Sequence, residues 1–379
     1  MKRIAIVLAA ALVIGLMPVQ VSAEPVQVAA KSAILMDAAT GTILFEQNAH
    51  DRLAPASVTK VMTMLLIMEA IADGRIGWED TVTTSESAAA KGGSQVYLKV
   101  GETMTVTDMV KSIAVSSAND CACAMAEHLA GSESGFVERM NQRAKELGMA
   151  DTTFVNCTGL DDQGAENHLT SAHDIAVMSR QLLVNHPKIK EFTTIWMDTI
   201  RNGAFGLANT NKLIRFYPGA TGLKTGFTAA AGYCLSAAAK REGMELIAVV
   251  MGAETSQDRF AACKQLLDYG FANYALIQPQ ADSGTVAVKL GTAPTVKAIA
   301  AEDPRLLIDR SQRGSVTTEI TLDEQVNAPV SKGQRLGTLT VRAGEQVLAQ
   351  VNMVAADGVP RLTFGQVFTK VLRTLTMGS

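Results

Sequence analysis

The chain has 379 residues, 47% of them hydrophobic and 19% charged, with a formal net charge of −3. That length favours two domains over one, and the composition excludes a disordered chain while permitting a large core without covalent staples. The slightly acidic balance excludes a typical nucleic-acid binder, and no Cys/His cluster has metal-ligand spacing, so no metal or cofactor is called for.

In chain order, Lys2 and Arg3 precede an apolar run from Ile4 to Val19, broken by Gly15 and Pro18 and followed by Val21-Ser22-Ala23. This is the pattern of an export signal over residues 1–23, cleaved after Ala23; an uncleaved N-terminal anchor is the alternative reading. Export places the protein at the outer face of the cytoplasmic membrane or in the cell wall. Ser32–Asp37 and Thr42–Glu46 flank a Gly-containing turn and predict a hairpin. Pro55 introduces a helix from Ser57 to about Ala70, stopped by Asp73-Gly74. Residues 105–147 read as three helices, Thr105–Val115, Asn119–Ala130 and Ser132–Leu147, and His173–Val184 as a fourth.

Short β-compatible runs follow at Leu213–Phe216, Thr221–Thr225, Tyr233–Ala239 and Leu246–Met251, then a helix over Gln257–Ala272. Strands at both ends of a helix-rich middle predict one mixed α/β domain over residues 24–275, an antiparallel sheet flanked by helices. After Gln278-Pro279-Gln280 the runs Val286–Leu290, Val296–Ile299, Leu306–Ile308, Val316–Ile320, Leu339–Val341 and Val347–Val354 predict a small all-β domain over 280–357. In the tail, Phe364, Val367, Phe368, Val371, Leu372 and Leu375 recur at helical spacing, with Arg361, Lys370 and Arg373 as the charges and no acidic residue after Asp357. Residues 361–379 therefore read as an amphipathic helix lying on a membrane surface, with docking on its own domain as the alternative. The five cysteines, Cys121, Cys123, Cys157, Cys234 and Cys263, are odd in number and read as small buried hydrophobes.

Three short motifs occur once each: Ser57-Val-Thr-Lys60, Ser117-Ala-Asn119 and Lys224-Thr-Gly226. Ser57 and Lys60 lie one helical turn apart and share a face. Val58, Val61, Met62, Met64 and Leu65 surround Lys60, and apolar surroundings destabilise an ammonium, so the amine can serve as base to the Ser57 hydroxyl. Ser117 and Asn119 fall in a break between helices, where a loop can present a hydroxyl and an amide to a cleft. Lys224 and Thr225 fit an edge strand and can hold a carboxylate, while Gly226 admits a substrate backbone.

Together with Leu53-Ala-Pro-Ala-Ser-Val-Thr-Lys60, Asn156-Cys-Thr-Gly-Leu-Asp161 and Gly222-Leu-Lys-Thr-Gly-Phe-Thr228, these motifs resemble the D-alanyl-D-alanine carboxypeptidases, the low-molecular-mass penicillin-binding proteins, in a Gram-positive and sporulation-type version. The resemblance implies a serine β-lactamase/transpeptidase-like fold. It implies peptidoglycan stem peptides ending in D-Ala-D-Ala as substrate and β-lactams as covalent inhibitors. Residue by residue it implies Ser57 as nucleophile, Lys60 as general base and Ser117 as proton relay. Asn119 would bind the substrate amide, Lys224 and Thr225 its carboxylate, and the N–H groups of Ser57 and Phe227 the oxyanion. Arg259 would lie near the carboxylate, against the alternative of a solvent-facing arginine at a helix start.

Two positions depart from relatives that carry His, namely Phe227 after Lys-Thr-Gly and Thr158 before Gly159-Leu160. None of the five histidines sits in a recognisable catalytic pattern. A D,D-endopeptidase would use the same residues. A class A β-lactamase needs a Glu-x-x-Leu-Asn loop, which Glu166-Asn-His-Leu169-Thr170 only approximates. A non-catalytic penicillin sensor is the remaining alternative, set against the intact motif set.

Overall fold

The computed structural model describes residues 27–161, 164–279 and 284–377, with the backbone alone for Lys370 and residues 373–377. The signal expected over 1–23 lies outside these residues, as do the side chains of Lys370, Arg373 and Leu375 in the expected tail helix. The chain opens with the hairpin β1 (Ser32–Asp37) and β2 (Ile43–Gln47), a 3₁₀ turn over Ala56–Thr59, and α1 (Lys60–Ala72). A helical lobe follows: β3 (Thr81–Thr83), α2 (Glu86–Ala89), β4 (Thr103–Thr105), α3 (Val106–Ser116), α4 (Asn119–Ala130), α5 (Glu133–Glu146) and α6 (Ala172–Asn185). Then come α7 (Lys190–Thr193), the hairpin β5 (Met197–Ile200) and β6 (Phe205–Ala208), α8 (Leu213–Phe216), and the strands β7 (Ala220–Thr228), β8 (Gly232–Arg241) and β9 (Met244–Ala253), closed by α9 (Ser256–Asn273).

The central sheet is antiparallel in the order β2-β1-β9-β8-β7. Side chains alternate across a strand, so a sheet covered on both faces needs apolar residues at nearly every position. In β9, Ile247, Val249 and Met251 face the helical lobe, whereas Leu246, Ala248 and Val250 join α9 in a second core. α1 runs through the lobe with almost every side chain buried, Lys60 included. The expected strand at Leu213–Phe216 is instead the single helical turn α8. The Asn211 side-chain oxygen accepts the Leu213 N–H at 3.1 Å, a local turn that leads the apolar run into a helical start where its composition reads as β.

The second unit begins as α9 runs directly into β10 (Tyr274–Ile277). β11 (Thr285–Lys289), β12 (Thr295–Ala300), β13 (Leu306–Asp309), β14 (Val316–Leu322), β15 (Gln325–Asn327), β16 (Arg335–Ala343) and β17 (Gln346–Ala355) follow, then α10 (Phe364–Met377). Its six-stranded sheet has the order β14-β16-β17-β12-β11-β15 and its own core around Leu336, Leu339, Val341 and Met353. β13 stands apart from that sheet and pairs with β10, so the run Leu306–Ile308 forms a seam between the units. Glu242 at the β8–β9 turn reinforces the seam by accepting from both Arg310 and Arg313.

The helical lobe is held chiefly by α1. Leu65→Ala removes a fully buried side chain from its centre and is expected to lower stability by about 2–5 kcal/mol, read as a fall in thermal midpoint.

Candidate active site

The turn before α1 carries Ser57, half-buried at the surface of a cleft. Ala56, immediately before it, adopts φ +49°, an uncommon conformation for a residue with a Cβ. The Lys60 amine donates to the Ser57 hydroxyl at 2.9 Å and to the Thr158 carbonyl at 2.7 Å. It is wholly removed from solvent, and this burial lowers its pKa from the usual lysine range to about 7. Near neutral pH a large fraction of the amine is therefore unprotonated, with its nitrogen already within reach of the hydroxyl proton.

The loop at 156–160 forms the back wall. Its turn is built by the Asn156 side-chain oxygen, which accepts from the N–H groups of Thr158 at 3.1 Å and Gly159 at 2.7 Å. Thr63 of α1 donates to the Cys157 carbonyl at 2.7 Å, so loop and helix are locked side by side. Gly159 has φ +81°, and a Cβ there would run into the Ala56 carbonyl oxygen, so only glycine lets the loop approach the nucleophile turn.

Ser117 ends α3 in the left-handed region, φ +65°, and Asn119 begins α4. The Asn119 amide nitrogen donates to the Gly92 carbonyl at 2.7 Å, while its buried side-chain oxygen has no partner among the described residues. An unpartnered buried acceptor at a cleft is a vacancy for a donor on a ligand. Next to it, Asp120 accepts from the N–H groups of Val96 at 3.1 Å and Leu98 at 3.0 Å, pinning the loop that carries Gly92.

The third wall is β7, the outermost strand of the sheet, whose free edge leaves backbone groups for an extended ligand. A Cβ on Gly226 would lie 2.7 Å from the Pro55 carbonyl oxygen and 3.1 Å from the Val58 nitrogen, so this strand rides directly over the Ser57 turn. Lys224 is 1% exposed and donates to the Thr225 carbonyl at 2.9 Å; burial first, then the neighbouring Lys60 and Arg259, pushes its pKa well down. The Thr225 hydroxyl donates to that of Thr210 at 2.6 Å. Phe227 is 55% exposed at the rim, its ring 4.3 Å from that of Tyr233.

Arg259 is not the solvent-facing arginine weighed as an alternative from sequence. It is 8% exposed and donates to the carbonyls of Gly226 at 2.9 Å and Cys234 at 3.3 Å. These two residues are register partners in β7 and β8, so the guanidinium braces the strand pair that carries the Lys-Thr-Gly motif. Ser57, Lys60, Ser117, Asn119, Lys224, Thr225 and Gly226 thus come from elements packed around one cleft. The sequence assigns Thr158, Gly159, Thr210 and Asp120 no site role; here the Thr158 carbonyl, the Thr210 hydroxyl, the bare Gly159 Cα and the Asp120 carboxylate hold the site's groups and loops in place. Glu166, the candidate lactamase base, is exposed. All five cysteines are buried and free.

A serine paired with a buried amine of lowered pKa, beside further basic side chains and beneath an open strand edge, defines a serine acyl-transfer hydrolase. Comparison with known proteins carries this to a family. The family profile for D-alanyl-D-alanine carboxypeptidase (Peptidase_S11) matches residues 19–255, and that for the penicillin-binding protein 5 C-terminal domain matches residues 271–361. The chain is 44% identical over 342 residues to D-alanyl-D-alanine carboxypeptidase DacF of Bacillus subtilis, covering 88% of this chain and 87% of that one. It is 35% identical over 353 residues to DacC of Escherichia coli, covering 89% and 86%. Penicillin binding protein 5 from Haemophilus influenzae superposes with a TM-score of 0.75 at 31% identity, covering 92% of this chain and all (100%) of that one. The ampicillin-bound penicillin-binding protein D2 of Listeria monocytogenes superposes at 0.60 with 33% identity, covering 65% and 99%. The chain belongs to the D-alanyl-D-alanine carboxypeptidase family of penicillin-binding proteins and is a serine-type hydrolase of that family.

Two outcomes follow from the geometry. Because the Lys60 pKa is lowered, its reactive neutral form grows as pH rises, so the acylation rate constant should climb with pH through about 7 and then level off. Gly159→Ala should slow acylation by at least about tenfold, measured with a fluorescent penicillin, because the added methyl displaces the Ala56–Ser57 peptide.

Proposed function

We propose that these residues carry out the carboxypeptidase reaction on peptidoglycan stem peptides as follows. Lys60 takes the Ser57 proton as Oγ attacks the carbonyl of the penultimate D-Ala. The negative charge that develops on the carbonyl oxygen is met by the N–H groups of Ser57 and Phe227. Ser117 passes a proton to the departing amine, and the terminal D-Ala leaves. Water then hydrolyses the Ser57 ester. The Asn119 side-chain oxygen accepts from a substrate N–H, which occupies its empty acceptor position. Lys224 and Thr225 take the terminal carboxylate, and Arg259 contributes positive charge from behind the strand.

The observation that carries this reading is the 2.9 Å contact between Ser57 Oγ and a buried Lys60 amine whose pKa lies near 7. The convergence of Lys60, Lys224 and Arg259 supports the carboxylate assignment. Beyond burial, Lys60 and Arg259 both lower the affinity of Lys224 for a proton, so an anionic substrate group beside Lys224 would favour its charged form. A β-lactam, as an acylating mimic of the same peptide, would enter the same site and form an ester with Ser57.

We further infer an exported protein with a cleaved signal over 1–23, a catalytic domain over 24–275, a β-domain over 280–357, and a membrane-surface helix over 361–379. Support for the last comes from α10, where Phe364 is 87%, Phe368 58% and Val371 50% exposed, a row of apolar side chains left uncovered by the β-domain. No helix among the described residues is long and apolar enough to cross a membrane, so contact would be interfacial.

D-Alanine release from a soluble peptide ending in Lys-D-Ala-D-Ala, by residues 24–360 and by the Ser57→Ala variant, tests the reaction. Release by the parent alone is expected. Release by the variant would overturn Ser57 as nucleophile. Lys60→Arg, whose guanidinium stays protonated, should abolish release as completely as Ser57→Ala. Removal of residues 361–379 should move the full-length protein from the membrane to the soluble fraction, and unchanged fractionation would overturn the anchor.

A further inference from the structure

Behind the nucleophile turn, on the side away from the cleft, lies a second hydrogen-bonded array that the reaction above does not use. His168 is buried, with its ring edge-to-face on Phe154 at 5.7 Å between centroids. Its Nδ1 accepts from the Val155 N–H at 3.0 Å and lies 3.4 Å from the Asn156 nitrogen. A nitrogen that accepts from a backbone N–H carries no proton, so the proton of the neutral ring sits on Nε2. Nε2 lies 2.8 Å from Thr59 Oγ1, which therefore accepts, and the one proton of that hydroxyl is left to donate to the Ala56 carbonyl at 2.8 Å. Every bond in the array has a fixed direction, set by a backbone N–H at one end and a carbonyl at the other.

The carbonyl at the end of this array belongs to the same peptide unit as the Ser57 N–H. In a trans peptide the C=O and N–H point opposite ways, so holding the Ala56 oxygen against Thr59 aims the Ser57 N–H away from it. The unit needs holding, because Ala56 sits at φ +49° and the closely packed Gly159 leaves its oxygen little room. We propose that His168, acting through the Thr59 hydroxyl, is a positioning residue that orients the Ala56–Ser57 peptide so that its N–H meets the transition-state oxyanion.

The groups facing the imidazole fit that task. Burial above all, with the nearby Lys60 as a smaller influence, holds the His168 pKa down to about 4, against an opposing pull from Asp161. The ring stays neutral across the range in which Lys60 becomes active, and the array keeps its direction. Charged imidazolium would turn Nδ1 into a donor facing the Val155 N–H.

The inference rests on Ser57 being the nucleophile and is tested on the same protein. The variants are Thr59→Val, which is nearly isosteric, His168→Leu, and His168→Gln, which returns a side-chain N–H donor. The readouts are kcat and KM for D-alanine release, the acylation rate with a fluorescent penicillin, and the affinity of a peptidyl boronic acid that forms a tetrahedral adduct with a serine. A donor needed only by the oxyanion changes kcat and the affinity for the tetrahedral adduct while sparing substrate binding. Thr59→Val and His168→Leu should lower kcat and boronate affinity by about 10- to 100-fold with KM within about threefold of the parent, and His168→Gln should recover most of the loss. Thr59→Val with parental kcat overturns the proposal, as does a loss carried by KM alone or one that Gln fails to rescue. A parent that releases D-alanine from a nucleophile other than Ser57 overturns the underlying reading and this inference with it, a result the Ser57→Ala control identifies separately.

Discussion

Burial of one amine organises this molecule. Lys60 enters the protein at the first turn of a helix that has almost no exposed side chain, and there its amine donates to the Ser57 hydroxyl and the Thr158 carbonyl. A lysine pKa near 7 in place of 10.5 amounts to a shift of about 5 kcal/mol toward the neutral form relative to a free lysine. The sign matters for stability. Because the folded pKa is the lower one, the cost to folding is fully felt below about pH 7 and fades as pH rises toward the ordinary lysine value. The apolar packing around α1 offsets that cost, and the same packing holds the serine and the amine in register.

The sheet supplies the second constraint. Its central strands β1, β9 and β8 are buried on both faces, and the edge strand β7 leaves one side unpaired where the cleft opens. An exposed strand edge is a template for any extended peptide, and here that property is directed at a ligand. Directing it requires the edge to sit at one height above Ser57. Gly226 lets the strand descend onto the nucleophile turn, and Arg259 ties the Gly226–Cys234 pair together from the other side. The guanidinium thereby serves structure and electrostatics at once, adding positive charge to a cleft that already holds two buried lysines.

Much of this was legible in the residues. Helices α3 to α6, the β1–β2 hairpin and the strands β8, β9, β16 and β17 follow from periodicity and from Ser, Thr and Gly at their ends. The three short motifs each fall on a distinct element, and their order leaves few other readings. Failures occurred where tertiary context decides. Leu213–Phe216 is β-compatible by composition, yet it forms a helical turn entered through the Asn211–Leu213 hydrogen bond. Leu306–Ile308 is a strand, but its partner is β10 rather than its own sheet, and no local pattern encodes that choice. Backbone carbonyls such as that of Thr158 have no sequence signature. The array around His168 was also invisible, since Thr59 meets the ring only after the chain has folded back over 109 residues.

The strained positions share a logic. Ala56 at φ +49° and Ser117 at φ +65° are non-glycine residues in the left-handed region, and both adjoin groups assigned to the reaction. Such conformations persist only where surrounding contacts outnumber the local preference against them. At Ala56 those contacts are the Thr59 hydroxyl and the Gly159 loop; at Ser117 they are the end of α3 and the start of α4, with Asn119 fixed by Gly92 and Ser94. The fold's own contacts therefore hold the site in place, with the Lys60 pKa already lowered to about 7. Catalysis in such a site draws on folding energy already committed to orientation rather than on rearrangement during the reaction. This explains why so many of the residues that matter here touch no substrate and sit one layer behind those that do.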